Sequence, residues 1–522
     1  MPRDQLVLFT DTLESRIPQG HPVRLLDEIL ETVDWTTWEA KYHGAAGQPP
    51  IHPRVMASVL LFAMIRRVRS SRQIEYQIRH SIDFMWLVSG RTIDHDTLSR
   101  FRRAHANELK DVYRQLIRTA IRLGMAQLSE LCIDGSRVMA NANRYQTWTA
   151  DRIEKTLSLL DQQIAEALTE LESSDELDEA LGHEQTADQL PPELSDLKKR
   201  REQLAVVQAQ LQEMDEQRRK DGKDPATNPA QLFKSDPDAR MLLNKEGGYA
   251  ANYTPMAITE TQNGFIVGAD VLIGNAEHQV MLSMVEEIET TFDVNVDSVL
   301  ADTAYSTGEN LVGAEAMGLE LIAPLASVPC PANPAHRDDP TQPIPSEQWD
   351  QLPNNPSTKL YDKTAFVYDE QQDCYYCPAG KKLPRTGEEK RKRGNKPVVI
   401  QIIYMCSDCA GCPQADRCRK DPQAAKGRRV TDDQHEPARR RHRTRMQRPE
   451  IRETFKQRKT VAERPFAILK TLFGMRRFLL RGITGVHAEW LWGCTAHNLL
   501  RLMTEVRKLR AKDMSISLQP QN

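Results

Sequence analysis

Two apolar strings, far apart in the chain, constrain the fold more than any other feature. Leu131-Cys132-Ile133-Asp134 and Val299-Leu300-Ala301-Asp302 each run through apolar residues to an aspartate. A buried strand reads as such a run, and its end delivers the carboxylate to one edge of a sheet. A third string, Val461-Ala462-Glu463-Arg464-Pro465-Phe466, places a glutamate in a helix-compatible stretch, with Leu469 at helical spacing and Lys470 two turns on. Singly, each acid has an ordinary reading: a strand-end Asp caps a turn, and a helical Glu faces solvent. Gathered at one point, two Asp and a Glu are hard oxygen ligands of the kind Mg²⁺ takes, and two-metal phosphodiester chemistry needs such a cluster.

The elements between these strings fit a mixed α/β (α+β) chain. Residues 1–125 read as helical, with three- and four-residue apolar spacings over Pro22–Val33, Pro53–Arg67, Ser71–His80 and Asp96–Leu123. Ser70 or Ser71, and Asp94 or Asp96, are candidate caps. An arginine cluster that includes Arg72, Arg100, Arg102 and Arg103 crosses the third and fourth of these helices, a pattern suited to a helix-turn-helix type of DNA reader. A first strand over Leu131–Ala140 carries Asp134. Ile153, Leu157, Leu160, Ile164, Ala167 and Leu171, answered by Leu204, Val207, Leu211 and Met214, form the seam of a helical hairpin or coiled coil within residues 149–249.

Thr254–Thr259 and Gly264–Ile273 follow as a hairpin about Gln262-Asn263-Gly264. A helix over Glu277–Thr290 with Asn275 as its cap, strands at Val296–Ala301 and Leu319–Pro324, and a Glu463-bearing helix over Pro449–Phe473 complete the core. This is the order of an RNase H-like fold. His278, just inside a helix start, reads as a capping or packing residue that could lie near the site. A turn at Gly482-Ile483-Thr484-Gly485 precedes a final helix, His487–Arg510. That helix packs through Trp490, Leu491, Leu499 and Leu500, and its Asn498 is expected to hydrogen-bond locally.

The formal net charge of −3 conceals a segregation. Residues 377–510 carry 33 Lys and Arg against 13 Asp and Glu, whereas residues 151–200 carry 5 against 14. A solvated face is the ordinary meaning of one charge run; a basic C-terminal third of this size suits phosphate binding through counterion release. No apolar run approaches 18 residues and no secretory leader is evident, so no membrane partner is expected. Six of the nine cysteines cluster: Cys374 and Cys377, then Cys406, Cys409 and Cys412, then Cys418. Repeated C-x-x-C spacing suits a thiolate zinc site in a reducing cytoplasm better than a disulfide framework, and six thiols exceed what one zinc needs. Cys132, Cys330 and Cys494 read as buried or incidental.

The chain resembles the DDE transposases of bacterial insertion sequences, specifically those with a cysteine-rich insertion before the catalytic Glu. The resemblance runs from about His21 to Met503. It rests on His21-Pro22-Val23-Arg24-Leu25-Leu26, Ser70-Ser71-Arg72-Gln73-Ile74-Glu75, Asp94-His95-Asp96-Thr97-Leu98-Ser99-Arg100-Phe101-Arg102 and the three acidic strings. It implies an RNase H-like catalytic core (126–148 and 250–330), a helical DNA-binding domain (1–125) and a zinc-ribbon-like insertion with a basic linker (331–448). Residues 449–511 would hold the catalytic and packing helices, and 512–522 a disordered tail.

The resemblance makes Asp134, Asp302 and Glu463 the ligands of two Mg²⁺ or Mn²⁺ ions, and Cys377, Cys409, Cys412 and Cys418 those of a structural zinc. Related transposases carry Tyr and Arg seven and four residues before the Glu, and Lys seven after it. Lys470 matches; Lys456 and Lys459 stand at the other two positions as point charges for phosphate. The implied activity is binding of inverted-repeat ends, cleavage, and strand transfer into target DNA, by a homodimer or larger assembly associated with the bacterial nucleoid. A metal-dependent nuclease without strand transfer, and a transposase-derived DNA-binding protein, are the alternatives.

Overall fold

The structure, a computed structural model, describes residues 12–42, 51–180, 192–244, 247–325, 333–392, 398–512 and 518. Cys330, the tip of the acidic insertion at 181–191 and most of the C-terminal tail lie outside the described residues, as does the side chain of Leu171. Two compact units result. One comprises Met1–Arg219, Lys223–Ala301 and Thr454–Asn522; the other Lys220–Gly222 and Asp302–Glu453.

Among the described residues, eight strands belong to the first unit: β1 (Glu130–Gly135), β2 (Val138–Met139), β3 (Thr147–Trp148), β4 (Leu232–Phe233), β5 (Arg240–Leu243), β6 (Tyr249–Glu260), β7 (Ile266–Leu272) and β8 (Ser298–Leu300). The main sheet runs β7-β6-β1-β8, antiparallel at its first two junctions and parallel between β1 and β8. The first expected strand is interrupted at Ser136 and Arg137, so β2 pairs separately with β6 opposite Tyr253 and Asn252. At the β6–β7 turn, Glu260 is fully buried yet satisfied, accepting the backbone N–H groups of Gln262, Asn263 and Phe265. Those bonds fix the hairpin register.

Helix Gly482–Arg510 crosses the sheet. Trp490 donates from its indole to the carbonyl of Met256 at 3.0 Å. Asn498 is not a local residue: its side chain accepts from Ile266 N at 2.8 Å and donates to Ile266 O at 2.7 Å, riveting the helix to β7. The helix begins five residues earlier than its apolar pattern suggests, and Gly482 and Ile483 donate their N–H groups to Asp236 and Asp238. Similarly, Glu277–Gln279 is a 3₁₀ turn before helix Met281–Phe292, with Ala276 rather than Asn275 at the cap position.

The N-terminal helices Pro22–Glu31, Pro53–Ile65, Ser71–His80 and His95–Ala104 match their apolar spacing, and Asp94 caps the last by accepting from Thr97 N at 2.8 Å. The expected long helix to Leu123 is broken instead at His105, and Glu108–Arg122 follows separately. The buried His105 ring stacks on Trp38 with centroids 4.8 Å apart, which holds that residue out of helical register. A further helix, Ile82–Leu87, intervenes in sequence between Ser71–His80 and His95–Ala104 and buries Phe84 and Leu87, Phe84 against Phe62. The connection is therefore not the short turn of a helix-turn-helix. The insertion forms a helical pair, Ala150–Ala180 and Pro192–Lys220, sealed by Ile153, Leu157, Val207, Leu211 and Met214.

The second unit holds helix Gly308–Met317, strand Glu320–Ile322, and a five-stranded antiparallel sheet of Val367–Asp369, Cys374–Tyr376, Lys382–Arg391, Val399–Met405 and Arg429–Asp433. Its core is aromatic, built on Tyr361, Phe366, Tyr375 and Tyr404. Asp432, buried, accepts from Tyr375 at 2.6 Å and pairs with Arg440 and Lys363.

Candidate active site

Asp134 is the penultimate residue of β1, buried to 8 % exposure, and its register partner on β6 is Ala257. One residue of the Glu463 helix, Pro449–Ala467, reaches this strand twice from a position before the glutamate. Arg458 Nη2 lies 3.6 Å from Asp134 Oδ1, and the Arg458 carbonyl accepts from Cys132 Sγ at 4.0 Å. Beyond the glutamate, Lys470 Nζ donates to Ser136 Oγ at 2.6 Å and to the Arg137 carbonyl at 2.7 Å. Glu463, exposed, stands between these anchor points. The structure thus brings the helix of Glu463 onto the strand of Asp134, and a charge-assisted bond of this kind is among the stronger ones available.

Lys470 gains its reach from a local irregularity. Pro465 has no N–H and its ring crowds the carbonyl four residues back, and Ile468–Leu472 follows as a π-helical turn closed by Phe473 N to Ile468 O at 3.0 Å. The helix expected through Phe473 is therefore α-helical only to Ala467.

Gly135 is constrained by a carboxylate that sequence reasoning missed. A Cβ there would lie 2.5 Å from Glu277 Oε2 and 2.8 Å from Met256 Sδ. Glu277 in turn accepts from Arg137 at 2.6 Å, and Arg137 also donates to Thr254 Oγ1. No periodicity marks Glu277; an acidic residue at a helix start was its only signal. The neighbouring His278 is half-buried in the same 3₁₀ turn.

Asp302 begins the second unit two residues after β8. It caps the 3₁₀ turn Thr303–Tyr305, accepting from Ala304 N at 2.8 Å. Among the described residues, no group of three or more His, Cys, Asp or Glu side chains is arranged to hold a metal ion.

The cysteines occupy strand ends and turns of the second unit. Cys374 opens a strand and Cys377 follows it; Cys406 follows Val399–Met405; Cys409 and Cys412 lie in the next turn, and Cys418 ends a short helix. Cys377 Sγ accepts from Lys381 N, and Cys409 Sγ from Arg428 N, each at 3.4 Å. Burial pushes the Cys418 thiol up to about 12; Arg428 opposes this, while Cys377, Cys409 and Cys412 raise it further. All described cysteines are free thiols, and Cys132 and Cys494 are buried.

Of the basic residues, Arg72, Arg100 and Arg103 are exposed on helices Ser71–His80 and His95–Ala104, and Lys456 and Lys459 are exposed on the Glu463 helix. Arg102 differs. It is 7 % exposed and donates to the Arg69 carbonyl at 3.0 Å and to Ser71 Oγ at 3.2 Å, so it braces the helix junction from inside. Arg69 itself donates to the carbonyls of Gly474 and Arg477 and pairs with the buried Glu489.

Residues 376–503 match the family described as transposase DDE domain, and residues 11–104 a transposase domain (DUF772). Both matches are to transposase domains, and the chain carries the DDE domain of a transposase. A piggyBac transposase synaptic complex with hairpin DNA, solved by cryo-EM, is similar at a TM-score of 0.32 and 10 % identity, over 95 % of this transposase and 76 % of that chain. No curated protein matches this transposase. The DDE match spans Glu463, Lys470 and five of the six clustered cysteines, Cys374 lying just before it, and the N-terminal match spans Arg72, Arg100, Arg102 and Arg103. Among the described residues, no helix of the transposase is long and apolar enough to cross a membrane.

Proposed function

We propose that this chain is the transposase of a bacterial insertion sequence, cutting the element's ends and joining them to target DNA through Asp134, Asp302 and Glu463. DDE transposase domains use divalent metal ions, and the three carboxylates are a hard-oxygen donor set suited to Mg²⁺ or Mn²⁺. The observation that carries the reading is the pair of anchors, Arg458 and Lys470, that tie the Glu463 helix to the strand of Asp134. The β1–β8 register supports it further: Cys132 aligns with Leu300, and each strand's aspartate follows that pair by two positions in sequence. When bound, two ions would supply the Lewis acidity for in-line attack on a phosphodiester.

The chain's own groups do the rest. Lys470 holds Ser136 and Arg137, fixing the backbone directly after Asp134. Lys456 and Lys459, with Arg72, Arg100 and Arg103, present positive charge to duplex phosphates of the ends or target. The substrate is double-stranded DNA, and joining two ends calls for at least a homodimer. Cys377, Cys409, Cys412 and Cys418 would hold a structural zinc; the N–H groups of Lys381 and Arg428 are aimed at two of these sulfurs. An all-thiolate site leaves no open position for chemistry.

The test uses purified protein and DNA carrying the terminal inverted repeats that flank its own coding region. Asp134→Asn, Asp302→Asn and Glu463→Gln are each expected to abolish Mg²⁺-dependent end cleavage while end binding persists. Full cleavage by any one of them would refute the assignment. Cleavage by the unaltered protein with no joining of a precleaved 3′ end would make it a nuclease instead.

A further inference from the structure

The chain that leaves Asp134 does not end its work at the Lys470 contact. It continues through β2 into Ala140–Gln146, which borders an open depression of about 650 Å³ in the first unit. Arg144, Arg477 and Arg481 line it, and among the described residues no lining side chain is acidic. All three guanidinium groups are exposed, and among the described residues none is ion-paired with a carboxylate. Each is instead positioned by neutral partners. Arg481 Nε donates to the Asn141 carbonyl at 3.1 Å, Arg477 contacts Met139 Sδ at 3.9 Å, and Arg144 donates to Tyr145 Oη at 2.6 Å and to the Tyr249 carbonyl at 3.5 Å.

The aromatic component is unusual for such a surface. Tyr145 is 75 % exposed and Tyr249 59 %, and the Arg144 guanidinium lies 4.6 Å from the Tyr145 ring centroid. Arg144 therefore contacts the Tyr145 side chain and the Tyr249 backbone. Single exposed aromatics are commonplace. Here Tyr249 lines the depression and Tyr145 stands at its rim, between the lining residues Arg144 and Gln146; with three cations and, among the described residues, no anion, the surface has both phosphate-binding and ring-stacking capacity. Paired bases in a duplex are already stacked on each other and offer their π-faces to nothing; unpaired bases offer theirs.

We propose that this depression binds unpaired nucleotides of the DNA substrate, with a base stacked on Tyr145 and backbone phosphates held by Arg144, Arg477 and Arg481. The site deepens the transposase reading and rests on it for its biological setting. It is continuous in sequence and in hydrogen bonding with the reactive edge: Met139 N donates to the Arg476 carbonyl and Phe478 N to the Met139 carbonyl, so β2 and the Arg476–Phe478 segment move as one piece with the Lys470 anchor.

The experiment measures binding of the full chain, without divalent metal, to a fluorescein-labelled 12-nucleotide single strand of mixed sequence and to a 24-base-pair duplex of related sequence. Tyr145→Ala should weaken single-strand binding about 10-fold and change duplex binding less than 2-fold. Tyr145→Phe, which keeps the ring, should bind as the unaltered protein does. Arg477→Ala should lower the salt dependence of single-strand binding. Equal losses for both DNAs, or no loss with Tyr145→Ala, would overturn the proposal. Because the readout needs no catalysis, a chain that proves unable to cut DNA would refute the reaction and still report on this site.

Discussion

Asp134 and the clustered cysteines are both candidate metal ligands, yet their surroundings are assembled at opposite ranges of sequence. The Lys470 bond that fixes the backbone after Asp134 spans 334 residues. Cys377 takes its N–H from 4 residues away, and Cys409 from 19. The surroundings of Asp134 are therefore a product of the whole first unit, whereas those of the cysteines are a product of tight turns. A site of the first kind exists only after the core has packed. One of the second kind requires little more than its turns and a metal to close them. Four experiments break or sharpen this contrast.

The largest effect is expected at the cysteines. If zinc closes those turns, its binding contributes folding free energy on the order of 10 kcal/mol, and Cys412→Ser should lose the metal. The purified chain should carry one zinc by elemental analysis, and Cys412→Ser none. Chelation should expose the second unit to protease while leaving the first resistant. A metal-free wild-type chain with an intact second unit would end the zinc assignment, and the contrast with it.

At the carboxylate face, the corresponding cut is Glu489→Gln. Glu489 is 1 % exposed, pairs with Arg69 and accepts from the N–H groups of Leu479 and Leu480 at 2.8 and 2.9 Å. Removing one partner of a buried ion pair costs about 3–5 kcal/mol, since the other charge is left uncompensated. Chemical denaturation should show that loss. A change under about 1 kcal/mol would mean that solvent reaches Arg69.

A pH series separates the units by a third route. His497 is buried in the first unit, its Nε2 2.9 Å from the Gly264 carbonyl, and burial pushes its pKa down to about 4. The folded state resists protonation that the unfolded chain accepts near 6.5. Stability from this residue is therefore complete above about pH 6.5, falls as pH drops towards 4, and changes no further below that. The loss over that window is about 3 kcal/mol. His497→Gln should flatten the acid side of the first unit's stability curve, and an unchanged slope would assign the acid sensitivity elsewhere.

What the sequence disclosed follows the same division. Strand ends at Asp134 and Asp302, the helical pair and the cysteine spacing are carried by neighbouring residues, so they could be read directly. Arg102 belongs to an exposed-looking arginine run, but its burial against Arg69 and Ser71 is decided by tertiary packing. The break at His105 depends on Trp38, and the pinning role of Asn498 depends on Ile266; neither partner is near in sequence. Glu277 carries no pattern at all. Its importance to the site appears only when β1 and the 3₁₀ turn are seen together.

The finest test concerns that last contact. Gly135 follows Asp134 directly, and its φ is unremarkable, so the position demands glycine for space alone. In Gly135→Ala the added methyl meets Glu277 Oε2 at 2.5 Å and Met256 Sδ at 2.8 Å. Met256 lies on the central strand β6, where it cannot retreat without disturbing the register with Gly135 itself. Glu277 can swing aside, but only by breaking its 2.6 Å bond to Arg137, whose carbonyl Lys470 holds. Overpacking of this kind costs about 1–3 kcal/mol, the smallest stability change of the four. End cleavage should nonetheless fall further than stability does, because the displaced groups lie in the backbone segment that sets Asp134. Gly135→Ala with lowered stability and full cleavage would show that Asp134 tolerates movement of its strand, making the long-range anchors structural rather than functional.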